Sequence, residues 1–207
     1  KYDTIDYTRI DPHFGDESTL VELVQQAHRR GIRIMLDGVF NHCGFYFRQF
    51  QDVLRHGEAS PYKDWFHIHS FPVTLDPPNF DGFGIGPGMP KLNTQNPEVK
   101  EYLLGAVAKW TRTGIDGWRL DVSDEVDSDF WREFRRTVKD INPEAVIIGE
   151  NWWDAEPWLR GDQFDGVMNY EVQRACVLYF AQRKIHPQEL QERLTCLLYT
   201  SPSPRDA

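Results

Sequence analysis

The sequence predicts an α/β fold, a partial (β/α)8 TIM barrel interrupted by an inserted subdomain. Three observations carry that prediction. Amphipathic helices alternate with short apolar strands, the pattern of βα units wound around a parallel sheet. Most of those strands end in a polar or charged residue, namely Asp37, Asp121, Glu150 and Asn169, and a parallel barrel gathers its active site at that carboxyl-terminal rim. Between His42 and Asn96 lie roughly fifty residues rich in Pro, Gly and aromatics, far longer than a normal βα loop. A doubly wound sheet would also collect a site at strand ends, but it normally carries a glycine-rich phosphate loop, and the sequence has none.

Taken in order, Leu20, Val21, Val24 and Ala27 recur at helical spacing after Ser18, a candidate cap, and Gly31 is placed to stop that helix. Ile32-Arg33-Ile34-Met35-Leu36-Asp37 reads as the first strand. Asn96-Pro97-Glu98 opens a second helix with a cap, a first-turn proline and an acid near the positive end of the dipole. That helix carries Val99, Leu103, Ala106, Val107 and Trp110 inward and stops at Gly114. A strand over 115–122, a helix over 128–141 with Phe134, Val138 and Ile141 inward, and strands over 145–150 and 164–169 follow. A helix over 171–183 and another after Pro187 complete the pattern. The connection over 43–93 is too aromatic for a disordered linker and reads as a small subdomain above the rim. Residues 1–42 and 94–195 form the barrel portion.

Four strands are legible, whereas a whole barrel has eight in about 250 residues, and no strand precedes Lys1-Tyr2-Asp3. The chain therefore reads as a fragment. Residues 196–207 drop the helical pattern and read as a non-native tail.

Composition narrows the partners. A net charge of −9 argues against nucleic acid or an anionic membrane, since either needs a basic face. Seven Trp, eight Tyr and thirteen Phe suit both a core and the gripping of neutral sugar rings. Cys43, Cys176 and Cys196 form neither an even framework nor a CxxC pair, which fits a cytoplasmic address. No apolar run approaches about 18 residues and no signal-peptide pattern is seen.

The chemistry rests on Asp121 and Glu150, which end consecutive strands one βα unit apart. Adjacent strands lie about 4.8 Å apart, so the two carboxylates can approach the roughly 5–5.5 Å of a retaining glycosidase. One would attack the anomeric carbon; the other would protonate the leaving oxygen and later activate water. Arg119, two residues before Asp121, points to the same side of its strand and would keep the nucleophile ionised. For any one acid a strand-end salt bridge is the commoner role, but four such strand ends at one rim are hard to obtain from packing alone. A metal hydrolase built on Asp37, His42 and Asp121 lacks a His-x-His or His-Glu-x-x-His cluster, so no metal ligand is assigned.

Four segments resemble signature regions of the α-amylase family (glycoside hydrolase family 13). Asp37-Gly-Val-Phe-Asn41-His42 is similar to the first, Gly117-Trp-Arg119-Leu-Asp121-Val to the second and Ile147-Ile-Gly-Glu150 to the third. Met89-Pro-Lys-Leu-Asn93 resembles the fifth as found in the neopullulanase, cyclomaltodextrinase and maltogenic amylase group. The resemblance spans roughly residues 1–195 and places the insertion after the third barrel strand, as domain B.

The resemblance implies Asp121 as nucleophile, Glu150 as acid/base and Arg119 as the family's fixed arginine. It also implies substrate binding by Asp37, by Tyr2 stacking at the cleavage site, by His42 hydrogen-bonding that sugar, by Trp152 on the acceptor side, and by Glu125. The expected activity is retaining hydrolysis of α-1,4-glucans such as cyclodextrins, pullulan and starch oligosaccharides, with transglycosylation. The alternatives are an α-glucosidase or glucan transferase of the same family, or a non-catalytic binding module. The last is disfavoured because Asp121, Glu150 and Arg119 are all present. No cofactor is required. Asn93 stands where many α-amylases place a calcium-liganding Asp while Asn41 keeps a matching ligand, so support for Ca2+ is poor. The fourth signature region, with its third carboxylate, does not occur, so this chain alone is expected to be inactive. The group's members often dimerise through segments outside it. Asn151-Trp152-Trp153 departs from the usual residues after the acid/base.

Overall fold

The computed structural model describes residues 2–84 and 86–200, with residues 196–200 described by backbone alone. Strands β1 (Met35–Val39), β2 (Gly117–Asp121), β3 (Val146–Gly149) and β4 (Gly166–Val167) form one sheet in the order β1-β2-β3-β4. Every neighbouring pair is parallel, which requires a crossover between strands. The crossovers hold helices α3 (Pro97–Thr111), between β1 and β2, and α4 (Ser128–Ile141), between β2 and β3. These two helices pack against each other. Helix α1 (Glu17–His28) precedes the sheet, α2 (Arg48–His56) lies in the long connection, and α5 (Tyr170–Cys176) and α6 (Pro187–Thr200) follow β4. No helix among the described residues is long and apolar enough to cross a membrane.

The sequence places the elements well and their ends less well. Asp16, not Ser18, caps α1: its carboxylate accepts the Thr19 N–H at 2.9 Å while the Thr19 hydroxyl accepts the Asp16 N–H at 3.3 Å. This is a reciprocal capping box, and it draws Ser18 into the helix. Strand β1 begins at Met35, not Ile32. The Ile32 N–H returns to the Ala27 carbonyl at 3.0 Å, and the Ile34 N–H goes to the Asp116 carboxylate at 2.7 Å. Those donors are therefore withheld from the sheet, and Ile32 lies exposed. Asn96 does cap α3, and α4 spans 128–141 as expected.

Strand β4 is shorter than the expected 164–169, and Asn169 serves as the cap of α5 by accepting the Val172 N–H. Helix α5 passes into a π-helical turn over Val177–Ala181, in place of one α-helix to residue 183. Helix α6 continues to Thr200, past the point where the helical pattern was expected to end. The remainder of the expected tail, 201–207, lies outside the described residues.

The segment over 43–93 is built on short antiparallel bridges, Phe66 with Leu92, Ile68 with Phe80 and Gly82 with Pro90. Phe47, Phe50, Phe66 and Phe80 are buried there and meet mostly edge to face, with centroids 5.0–6.4 Å apart, the geometry favoured by the ring quadrupole. Their cluster is continuous with the core beneath the sheet.

At the centre of that core Trp131 is fully buried among Phe40, Phe130, Phe134 and Phe164. Its indole N–H donates to the Ser123 carbonyl at 2.8 Å, so one side chain links α4 to the turn that follows β2. Trp131→Ala is expected to lower stability by about 3–5 kcal/mol, read as a fall in denaturation midpoint at unchanged denaturant slope.

Candidate active site

The site lies where β1, β2 and β3 end. Asp37 and Arg119 are register partners on adjacent strands, and Asp121 follows Arg119 by two residues, so the three side chains share one face. Arg119 holds the group together. Its Nη1 donates to Asp37 Oδ1 at 2.8 Å and to Asp121 Oδ1 at 2.7 Å, and its Nη2 lies 2.7 Å from Glu150 Oε2. A planar guanidinium with five donors suits this role, which a point-charge ammonium could not fill. Asp121 and Glu150 thus lean on the two terminal nitrogens of one guanidinium, each at 2.7 Å.

The loop after β2 completes the arrangement. Val122 adopts a left-handed conformation, φ 47° and ψ 45°, an uncommon choice for a β-branched residue. The turn sends the Val122 N–H to Glu150 Oε2 at 3.2 Å and the Ser123 N–H to the Glu150 carbonyl at 3.3 Å. The Ser123 hydroxyl donates to the Asn151 carboxamide oxygen at 3.0 Å. The ends of β2 and β3 are thereby fixed to each other through both backbone and side chains. Glu150 Oε1 takes a third donor, the Tyr170 hydroxyl at 2.9 Å, and the Tyr170 ring stacks on Trp152 with centroids 4.2 Å apart and planes 6° from parallel.

Burial and charge act in opposite directions here. Asp121 is only 7% exposed. That burial pushes its carboxyl above the ordinary value, with Glu150 and Asp37 adding to the shift and Arg119 opposing it. For Arg119 burial works to lower the value, but the bonds to Asp37 and Asp121 and the charge of Glu150 overcome it, so it stays raised and fully charged. Tyr170 is raised by burial and by its bond to Glu150, and Tyr2 chiefly by its bond to Asp37.

The structure brings most of the expected residues together. The Tyr2 hydroxyl donates to Asp37 Oδ2 at 3.0 Å, and its ring lies 5.8 Å from the Arg119 guanidinium. Trp152 sits beside Glu150, half exposed. His42 is fully buried; its ring stacks on Phe83 at 4.8 Å, and its Nε2 meets the Tyr2 carbonyl at 3.0 Å. Burial lowers its pKa, which favours the neutral ring, and because a carbonyl can only accept, Nε2 is the donor. In this arrangement His42 positions the Tyr2 backbone. Asp37, His42 and Asp121 do not converge as a metal set: both acids are on Arg119, and His42 is on Tyr2.

Glu125 lines a polar cavity of about 360 Å³ together with Asn41, Lys91, Asp81 and Asp124. Its Oε2 receives Lys91 Nζ at 3.2 Å and the Asn41 amide at 3.5 Å. Asn41 Oδ1 is buried without a hydrogen-bond partner, and Asn93 spends its side chain on the Asp64 carbonyl and the Gln95 N–H. Among the described residues no three His, Cys, Asp or Glu side chains gather as a metal-holding set. With an ammonium already on Glu125 and Asn93 turned to backbone, the donors beside Asn41 do not fit calcium, which needs six to eight oxygens. Sequence reasoning did not single out Tyr170, Val122 or Lys91. Tyr170 was the most accessible of the three, an aromatic in the position just after a strand-end polar residue.

Comparison with known proteins identifies the family. The family model described as the α-amylase catalytic domain matches residues 1–200. A cyclomaltodextrinase of Geobacillus thermopakistaniensis is 56% identical over 204 residues, covering 98% of this chain and 35% of the relative. Neopullulanase 2 of Thermoactinomyces vulgaris is 56% identical over 197 residues, covering 94% and 34%. A solved structure of a cyclomaltodextrinase superposes with a TM-score of 0.94 at 53% identity, covering 98% of this chain and 35% of that one. The chain thus spans about a third of the length of the curated relatives it matches. Its parallel sheet is of the α/β barrel type that this family builds, and the chain belongs to the α-amylase family.

Proposed function

We propose that this chain carries the nucleophile and the acid/base of a retaining α-glycoside hydrolase acting on α-1,4-glucans, including cyclodextrins, pullulan and starch oligosaccharides. The observation that carries the reading is the single guanidinium of Arg119 bound to Asp37, Asp121 and Glu150 at the ends of three adjacent strands. The four strands are read as part of a (β/α)8 barrel, with residues 43–93 inserted as a subdomain. No metal is assigned a role in the chemistry, and beside Asn41 the Glu125 carboxylate is engaged by Lys91. The unpaired Cys43 and Cys176 fit a reducing, cytoplasmic setting.

Arg119 engages Asp121 Oδ1, leaving Oδ2 to attack the anomeric carbon. As that C–O bond forms, the glycosidic C–O bond breaks and the leaving oxygen takes the proton of Glu150. Water then gives a proton to Glu150 while its oxygen displaces Asp121 from the same carbon. A sugar hydroxyl in place of water gives transglycosylation. Trp152, half exposed beside Glu150, offers a ring face to an acceptor sugar. Tyr2 and Asp37 face the sugar that is transferred.

The stereochemistry of the first product tests the reading. In a full-length enzyme carrying these residues, proton NMR during the first minutes of glucan hydrolysis is expected to show the α-anomer before mutarotation. First appearance of the β-anomer would mean a single displacement and would overturn the retaining mechanism.

A further inference from the structure

The two oxygens of Glu150 are not equivalent. Oε2 faces Arg119 Nη2 at 2.7 Å and the Val122 N–H at 3.2 Å. Both partners are donors only; neither a guanidinium nor a backbone N–H can accept a proton. A hydrogen placed on Oε2 would point at another hydrogen. Oε1 faces the Tyr170 hydroxyl at 2.9 Å, and a hydroxyl can donate or accept. Of the groups around Glu150, Tyr170 alone is compatible with both protonation states.

We infer that Oε1 is the Glu150 oxygen that carries the transferable proton, and that Tyr170 is the positioning residue that directs it. The inference rests on the reading of Glu150 as acid/base. Before transfer the hydroxyl accepts from the protonated carboxyl. When the proton leaves for the glycosidic oxygen, the hydroxyl rotates and donates to the new carboxylate, and it releases Oε1 again when water returns a proton. The phenol itself gains and loses nothing. Its raised pKa keeps the O–H intact across the working range. Trp152 supplies the second half of the device: its parallel stack on the Tyr170 ring fixes the direction from which the hydroxyl reaches Glu150. Trp152 thus acts on the acid/base through Tyr170 as well as offering a surface to sugar.

Tyr170→Phe in the full-length enzyme is the test, because it removes the hydroxyl and keeps the stacked ring. Its kcat/KM is expected to fall about 10- to 100-fold on a natural maltooligosaccharide, whose poor leaving group needs protonation, and to change little on a para-nitrophenyl maltoside, which needs less. The melting temperature should be unchanged. An equal fall on both substrates, or no fall on either, would overturn the assignment of Tyr170. Glu150→Gln, run beside it, separates the two ideas. If Glu150→Gln shows the leaving-group signature and Tyr170→Phe does not, only the role of Tyr170 fails. If Glu150→Gln lacks it as well, the acid/base reading of Glu150 falls with it.

Discussion

Asp121→Asn, in a full-length enzyme carrying these residues, is expected to abolish glycosyl-enzyme formation and to lower kcat/KM by about 10⁴-fold or more. The amide keeps the size and shape of the side chain but has no charge with which to attack. Intact-mass measurement with a slow fluorinated glycosyl substrate checks this directly: the wild type gains the mass of one glycosyl group and the variant does not. An adduct of equal yield on the variant would move the nucleophile elsewhere. Stability is expected to behave in the opposite sense. Burial raises the Asp121 carboxyl above its unfolded value, so folding favours its protonated form. The stabilising contribution of the group is complete below the unfolded value and is lost as pH rises through the folded one. At neutral pH ionised Asp121 is therefore a burden on the fold, and Asp121→Asn should melt no lower than the wild type there. Any advantage of the variant should vanish as the pH is lowered into the carboxyl range.

Arg119→Ala has the second largest expected effect, and it should damage both fold and chemistry. The guanidinium has only 18% of its side chain exposed and is bonded to Asp37, Asp121 and Glu150. Removing it leaves crowded carboxylates without a counter-charge, which costs about 3–5 kcal/mol when a buried pair is broken. Since Arg119 opposes the upward shift of Asp121, its loss lets that carboxyl rise further. Asp121 must be ionised to attack, so the acidic limb of the kcat/KM profile should move to higher pH. At neutral pH activity should fall by at least about 10³-fold. Arg119→Lys is expected to recover part of the stability and little of the rate, because one ammonium cannot span the three acceptors. An unmoved acidic limb in Arg119→Ala would show that Asp121 is not the group that limits activity at low pH.

The sheet and its acids could be read in the sequence because both follow local rules. Apolar runs of strand length end in charge, and a two-residue spacing places Arg119 and Asp121 on one face. The phase of β1 could not be read that way. Ile32 and Ile34 have strand-like composition, yet Asp116, far away in the chain, takes the Ile34 N–H. Asn169 has the form of a strand-end site residue, and its side chain is spent on a helix cap. His42 was expected at the sugar, and nothing in the sequence announced its stack on Phe83 or its bond to the Tyr2 carbonyl. Tyr170 lies twenty residues from Glu150 in the chain, with no periodic relation between them. Only the parallel alignment of β3 and β4 brings their ends, and the residues that follow, side by side.

Val122 has a consequence for how this protein can change. A left-handed backbone costs a branched residue about 1–2 kcal/mol, yet Val122 is a buried residue, only 6% exposed, so the residue that makes the turn awkward also belongs to the core. Glycine or asparagine would ease the turn and forfeit the packing; isoleucine would keep the packing and still strain the turn. Position 122 is in that sense held between two demands, because the residues that relax the turn are the ones that empty the space the valine fills.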